Sequence, residues 1–557
     1  MPQFKLICHD WEAFESSSGM SITTVVHPPA SVSVVIERPS TIIRTAAVVS
    51  QQLLAAAHVF VYAAFPILSI YSANLATFPL GADLLVRPIA VAGVVTILAL
   101  LALRAWTPDL QQRAVMLSSF YLGFLSFVLT STLGEGYWLR TGKPEWMLTG
   151  LHLAAGAALA WFVRRPDRAR RVAPTLRVSA AVLLFVTLGQ IAIVSARPPG
   201  WQPAVTRIHS ARHFDFPAGG PRPDILHVLL DGLGSPGVLQ TYYDLDISGH
   251  REALEARHFT VGQGIRSNYA FTYSSVASLL NASYLDPLSP LAGAADRRPL
   301  HELIDGASVI TALKRVGYRF EFIGSSYSAT DRHPLADRCD CASIGLSELE
   351  TAAYRFSPLR VLPMDGITYG PFREKIEYEL NAVRNLTDDG PPRFVLAHLI
   401  LPHPPFAFDA QGRLPAGPRA LFGMPDGNEF PGTRAQYVEG YRAQVQFALD
   451  QVDDLVAHLQ RRTRPTVIII SGDHGPGSRF NREDRSQSDL RERFNVFLAV
   501  QVPGRAVTFP SGMTLVNLYP LILKEALNAR VSDLPDRTVF TSFSSPYRFE
   551  DVQPPAW

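Results

Sequence analysis

Two segments place hard ligands for a cation directly after apolar runs. In Ile468-Ile469-Ile470-Ser471-Gly472-Asp473-His474-Gly475, an adjacent carboxylate and imidazole offer one oxygen and one nitrogen. That mixture suits zinc or manganese. In Ile225-Leu226-His227-Val228-Leu229-Leu230-Asp231-Gly232, a carboxylate leaves an apolar run into a glycine-rich turn, free to point into a site. Between them in the chain, Thr272 opens the helix-like stretch Thr272-Tyr273-Ser274-Ser275-Val276-Ala277-Ser278. A helix start welcomes an anion through its free N–H groups and its dipole. A metal beside the Thr272 hydroxyl would lower its pKa and make it a nucleophile. His403 stands among prolines in Leu401-Pro402-His403-Pro404-Pro405. It could bind a substrate oxygen, protonate a leaving group or join a metal.

Each element has a plainer reading when taken singly. Asp231 suits an Asp-Gly turn, and Thr272 suits an ordinary helix N-cap. The echo between Asp231 and Asp473-His474 favours metal binding at both. His227 lies inside its run and reads as structural, while His398 suits a core role or a site role equally. Arg479, Arg491 and Arg493 follow the Asp-His element, and an anionic substrate needs cations nearby. Arg493 is the substrate-binding candidate among them. Tyr441, Gln444 and Phe447 have the spacing of a packed helix face.

The elements that must hold these residues alternate in type. Ile225–Leu230, Phe394–Leu401 and Thr466–Ile470 read as strands, and Leu303–Val316 and Arg434–Gln460 as helices. Such alternation predicts a mostly parallel sheet covered by helices, with its site beyond the carboxyl ends of the strands.

The first 200 residues are different. Five apolar stretches run roughly Ala46–Ile70, Pro88–Leu103, Ala114–Leu133, Met147–Val163 and Val178–Ser195. A span needs about 20 mostly apolar residues, so these are expected as five transmembrane helices. The first run starts late and has no small-residue cleavage site beyond it, which does not fit a cleaved signal peptide. Arg164, Arg165, Arg168, Arg170, Arg171 and Arg177 crowd the loop between the fourth and fifth stretches. The positive-inside rule then puts the N-terminus in the cytoplasm and everything after about residue 197 outside. The expected division is a cytoplasmic segment 1–45, a membrane domain 46–196, a linker 197–223 and an extracytoplasmic catalytic domain 224–557.

Lys+Arg 51 against Asp+Glu 49 gives no charge excess for nucleic acid. Cys339 and Cys341 would face an oxidising compartment and could pair, although so short a separation strains the ring. They lack the partners of a zinc site. Asn281-Ala282-Ser283 and Asn385-Leu386-Thr387 match glycosylation sequons. The Ala- and Arg-rich composition suggests a bacterial inner membrane.

In this order, strand–Asp-Gly, a hydroxyl at a helix start, His-x-x-x-x-His-Pro-Pro and Ser-Gly-Asp-His-Gly, the chain resembles the sulfatase and alkaline phosphatase superfamily. It looks most like the membrane branch, which includes lipoteichoic acid synthases and lipid phosphoethanolamine transferases. The resemblance covers roughly residues 224–550 and implies an alkaline-phosphatase-like α/β domain. It implies one divalent metal, zinc or manganese, held by Asp231, Thr272, Asp473 and His474. Thr272 would carry a covalent phospho intermediate, and His403 would hold the phosphoryl group. The first ligand is Asp where the transferases often have Glu, and the dense cysteine pattern of the lipid A transferases is absent. The implied reaction moves phosphoethanolamine or phosphoglycerol from a phospholipid donor to an envelope glycan or lipid acceptor. A membrane-tethered phosphodiesterase, phosphatase or sulfuric ester hydrolase is the alternative, and a scaffold without metal is a third. Formylglycine-type sulfatases use Cys/Ser-x-Pro-x-Arg, which occurs at Ser544-Ser545-Pro546-Tyr547-Arg548. It lies downstream of Asp473-His474, where the family has it upstream, and reads as a chance match.

Overall fold

The computed structural model describes residues 23–27, 31–35, 52–75, 81–141, 145–196, 200–362, 364–416 and 422–553. Cys8 and the beginning of the first expected span lie outside these residues. Within the N-terminal segment, Thr23–His27 and Ser31–Val35 pair as an antiparallel hairpin.

Five helices lie over the apolar stretches: α1 (His58–Leu75), α2 (Val86–Ala102), α3 (Leu110–Thr141), α4 (Glu145–Phe162) and α5 (Pro166–Ser195). Their runs of Leu, Val, Ala and Ile fit a medium in which every backbone group must be bonded within its own segment. Among the described residues, His58–Leu75, Ala82–Ala105 and Pro166–Ser195 are long and apolar enough to cross a membrane, and Trp146–Phe162 is a shorter apolar helix. α3 and α4 cross where two glycines meet. A Cβ on Gly123 would fall 2.5 Å from Gly156 Cα. Small residues at such crossings let helices pack backbone to backbone.

The catalytic domain is built on a seven-stranded sheet. Its strands are β1 (Asp224–Leu230), β2 (Thr260–Val261), β3 (Arg319–Ile323), β4 (Arg338–Asp340), β5 (Arg393–Leu399), β6 (Thr466–Gly472) and β7 (Leu498–Gln501), in the order β2-β7-β6-β1-β5-β3-β4. The run β6-β1-β5-β3-β4 is parallel, and β7 and β2 join antiparallel. The expected mostly parallel sheet is therefore present. β1 sits at its centre with both faces covered, so all seven of its residues are buried. Leu226, Val228 and Leu230 face one apolar core, and Ile225 and Leu229 face the other. Each such side chain contributes about 1.5–3 kcal/mol on burial. His227 is the polar exception. Its ring nitrogens lie 2.8 Å from Tyr519 Oη and 2.8 Å from Ser471 Oγ, and burial drives its pKa down to about 3. This is the structural histidine that its place in the run suggested.

Several elements differ from expectation. The single helix expected over Leu303–Val316 is two helices, Arg298–Asp305 and Ser308–Arg315, broken at Gly306-Ala307. A Cβ on Gly306 would collide with the His209 ring, so the chain turns there. The stretch 197–223, expected as a linker, contains the helix Gln202–Ser210, whose Ala204, Val205 and Ile208 are buried in the catalytic core. Cys339 and Cys341 are joined by a disulfide at the edge strand β4.

Candidate active site

Strand register gathers the chemistry. Leu230 on β1 pairs with Gly472 on β6 and with Leu399 on β5. The next residues out are Asp231 and Asp473, and the turn carrying His403 rises beside them. The Gly232 N–H donates to Asp473 Oδ1 at 3.0 Å, which turns Oδ2 toward the site. His474 Nδ1 lies 2.9 Å from the Gly475 carbonyl. With the proton on Nδ1, the Nε2 lone pair faces Asp231 Oδ1 at 3.6 Å and Asp473 Oδ2 at 3.5 Å. Gly475 has to be glycine because a Cβ there would collide with the Glu492 carbonyl.

Thr272 is the first residue of α6 (Thr272–Asn281), and its Oγ1 lies 3.1 Å from His474 Nε2. Ser275, one turn on, donates to the Asp473 carbonyl at 2.6 Å and ties this helix to the β6 loop. The helix that begins at Thr272 and the Asp473-His474 loop are thus held by one short bond.

The donor set fits a divalent cation. One ligand atom from each of Asp231, Asp473 and His474 lies within 4.8 Å of the others. Asp231 Oδ1 and Asp473 Oδ2 are buried without a hydrogen-bond partner, a costly state for a carboxylate that a cation would relieve. Burial works to raise the Asp231 carboxyl, but His403, His398 and His474 around it hold it well below its ordinary range. Burial, with Arg493 beside it, lowers His474 and keeps its imidazole neutral, as a ligand must be.

Behind these residues stands a supporting layer. His398 turns Nε2 toward Asp231 Oδ2 at 3.6 Å, and its Nδ1 lies 2.6 Å from Thr330 Oγ1. His403 Nδ1 lies 2.7 Å from the Pro404 carbonyl, so Nε2 is presented to the site, 3.9 Å from Asp426 Oδ2. Arg493 is 2% exposed and already bonded within the protein. It donates to Asp426 Oδ2 at 2.6 Å and to the Gly475 carbonyl at 2.9 Å, and its far nitrogen reaches within 3.3 Å of His474 Nε2. Against the pull of burial, this guanidinium holds the Asp426 carboxyl far below the usual carboxylate range.

One helix clamps the site loops. On the helix Arg434–Leu459, Tyr437, Tyr441 and Gln444 follow at helical spacing. Tyr437 donates to Asp426 Oδ1 at 2.7 Å and accepts from the Gly477 N–H at 2.8 Å. Tyr441 donates to the Gly232 carbonyl at 2.8 Å and accepts from the Gly234 N–H at 3.1 Å. Gln444 donates to the His403 carbonyl at 3.0 Å and accepts from the Ala407 N–H at 2.8 Å. The face expected to pack does pack, and it also fixes the loops after β1, β5 and β6.

A cavity of about 450 Å³ opens over these groups, lined by Asp231, Thr272, His403, His474 and Arg493. The structure therefore brings these five sequence candidates, with Asp473 as the sixth, to one place. Arg479 and Arg491 do not line the cavity. Ser544 lies on an exposed loop, where its hydroxyl donates to Glu483 Oε2 at 2.6 Å, and it does not line the cavity. Asp426 was not anticipated. Its segment, Met424-Pro425-Asp426-Gly427, reads in sequence as an ordinary turn.

Residues 223–498 match the family model Sulfatase. Those residues form a sulfatase-family domain, and the chain is an enzyme. No curated protein matches the enzyme. Among solved structures, it is similar to the C-terminal periplasmic domain of EcEptC from Escherichia coli in complex with Zn, at 12% identity and TM-score 0.37, covering 61% of this chain and 90% of that one. A second is the soluble domain of lipooligosaccharide phosphoethanolamine transferase A from Neisseria meningitidis, at 14% identity and TM-score 0.31, covering 53% and 80%. A third is the phosphonate monoester hydrolase SpPMH from Silicibacter pomeroyi, at 15% identity and TM-score 0.34, covering 56% and 74%.

Proposed function

We propose that the enzyme transfers a phospho-alcohol group, phosphoethanolamine or phosphoglycerol, from a phospholipid to a hydroxyl of an envelope glycan or lipid. The observation that carries this reading is the composition of one cavity. Thr272, His403, Asp231 and His474 share it with Ile70 and Asn74 of the apolar helix α1. A nucleophile whose cavity is walled by a membrane helix is placed for a substrate that is itself held in the membrane. The six arginines from Arg164 to Arg177, just before α5 and in its first turns, favour a cytoplasmic start for that helix and so support a catalytic domain outside, at the plasma membrane of a bacterium.

In this reading Asp231, Asp473, His474 and the Thr272 hydroxyl oxygen hold one zinc or manganese ion. When bound, the ion supplies Lewis-acid stabilisation of phosphoryl charge and favours the alkoxide form of Thr272. Thr272 Oγ forms a bond to phosphorus as the bond from phosphorus to the glycerol oxygen of the lipid breaks. Diacylglycerol leaves with a proton, and the phospho-headgroup stays on Thr272. His403 Nε2, its ring oriented by the Pro404 carbonyl, contacts the phosphoryl oxygens or protonates the leaving oxygen. The start of α6 offers unpaired N–H groups to the same anion. The acceptor hydroxyl then displaces Thr272 and takes the group.

The test is intact mass spectrometry of the full chain in nanodiscs, loaded with manganese or zinc and given phosphatidylethanolamine or phosphatidylglycerol. A mass gain of one phospho-headgroup on Thr272, absent from Thr272→Ala, is the expected result. Release of free phospho-alcohol at the same rate with and without acceptor would make the enzyme a phosphodiesterase. Absence of both adduct and diacylglycerol would overturn the lipid donor.

A further inference from the structure

The catalytic domain hides its apolar side chains well, with one local exception. Among the described residues from 200 onward, the exposed large hydrophobics are Phe356 at 38%, Leu359 at 45%, Leu362 at 49% and Ile367 at 43%. All of them fall within one stretch, just after α7 (Glu348–Arg355). Exposed apolar groups scattered singly need no explanation, but a cluster on an otherwise polar surface marks an interaction site.

The neighbours of this stretch say what covers it. α7 lies against the outer end of α1, where Leu349 is buried with Ile67, Tyr71 and Leu75. Glu350 on the same helix pairs with Arg87 at the start of α2, whose Nε donates to it at 2.5 Å. Farther along, Arg360 lies over the Phe127 ring of α3, 5.4 Å from its centroid. The exposed groups are therefore continuous with the faces of apolar helices. Trp146, 64% exposed at the start of α4, stands at the same outer level, where aromatic side chains anchor at a membrane interface. Phe356 of this stretch also walls the catalytic cavity, beside Leu349, Ala352 and Arg355 of α7, and lines it with Thr272.

We infer that residues 356–362, with Ile367, dip into the outer leaflet and form the side door of the active site. Phe356, Leu359, Leu362 and Ile367 meet acyl chains there. The phosphate of a glycerophospholipid passes over Phe356 to Thr272 while its acyl chains stay in the bilayer. The donor thus reaches Thr272 laterally from the membrane and never leaves it. This route rests on the lipid-donor reading above; the immersion of residues 356–362, with Ile367, does not.

The experiment uses the full chain in nanodiscs containing a phospholipid with a photoactivatable acyl chain. After irradiation and digestion, adducts are mapped by mass spectrometry. Labelling of the peptide spanning 356–367, alongside α1–α5, is expected; labelling confined to α1–α5 would overturn the immersion. In parallel, Leu359→Glu/Leu362→Glu is compared with the unaltered enzyme on bilayer phospholipid and on a soluble aryl phosphodiester. The ratio of lipid to soluble turnover should fall at least about tenfold, since carboxylates are costly among acyl chains. An unchanged ratio would overturn the lateral route. If the unaltered enzyme turns over the soluble ester but no phospholipid, the lipid-donor reading fails and the route with it, while the labelling still decides whether the stretch is immersed.

Discussion

The two halves of the enzyme treat apolar side chains in opposite ways. In the helical half, Leu98 is 60% exposed and Phe185 is 79% exposed, while Thr96 and Thr187 are buried. In the catalytic half, the apolar residues of β1, β5 and β6 lie in two closed cores, and the outward faces are polar. One half is built for a solvent that is itself apolar, the other for water. The cavity over Thr272 lies where they meet, so one substrate can have its reacting phosphate in the second medium and its anchor in the first.

The comparison can be broken most sharply at the nucleophile. Thr272→Ala should cut turnover of any ester more than about a thousandfold, with circular dichroism unchanged. Stopped-flow release of a chromogenic leaving group measures it. Next come the ligand supports. His398→Phe leaves Asp231 in place but removes the imidazole facing it, and should weaken metal affinity about 10–100-fold, read by competition with a chelator and metal analysis. In the helical half, Leu98→Asp puts a carboxylate where the comparison says lipid lies. It should cost about 2.5–3.5 kcal/mol of membrane insertion, whereas a charge change at exposed Glu252 should stay within about 0.5 kcal/mol of stability. A glycosylation-reporter insertion assay measures the first and chemical denaturation the second.

Smaller effects test the catalytic core. Gln444→Leu leaves the Ala407 N–H buried without its acceptor, at a cost of about 1–3 kcal/mol. Its rate loss should exceed what that destabilisation predicts, because the His403 turn loosens. The last test concerns pH. His227 is neutral when folded, with its pKa pushed down to about 3 by burial, and ordinary when unfolded. The unfolded chain therefore binds more protons between those values, and stability rises with pH from about 3 to about 6.5 and then levels off. His227→Gln should flatten that portion of a denaturation midpoint against pH.

The parts legible in sequence were those whose signal is local. Asp231 and Asp473 end apolar runs, and Thr272 opens one, so strand and helix ends alone point to them. The parallel sheet followed from the same runs. The short strands β2, β3, β4 and β7 were not legible, because runs of two to five residues carry little periodicity. Asp426 was missed because it lies in a loop and owes its role to Arg493 and Tyr437, each distant in sequence. Gln444 and Tyr441 were read as packing because helical spacing reports which face is buried and says nothing of the loops that face will hold. The break at Gly306 depended on the His209 ring, which no window around 306 contains.

The join between the halves has a consequence for the acceptor. Arg87 on Glu350 and Leu349 among Ile67, Tyr71 and Leu75 fix α7, and with it one wall over Thr272, to the tops of two membrane helices. Thr272 then stands at a set height over those helices, like a gauge mounted on them. Under the proposed transfer, acceptor hydroxyls would be selected by elevation as well as by chemistry. A series of lipid-anchored alcohols with lengthening spacers should pass through a single optimum of rate, and loosening the mount with Glu350→Ala should flatten that optimum.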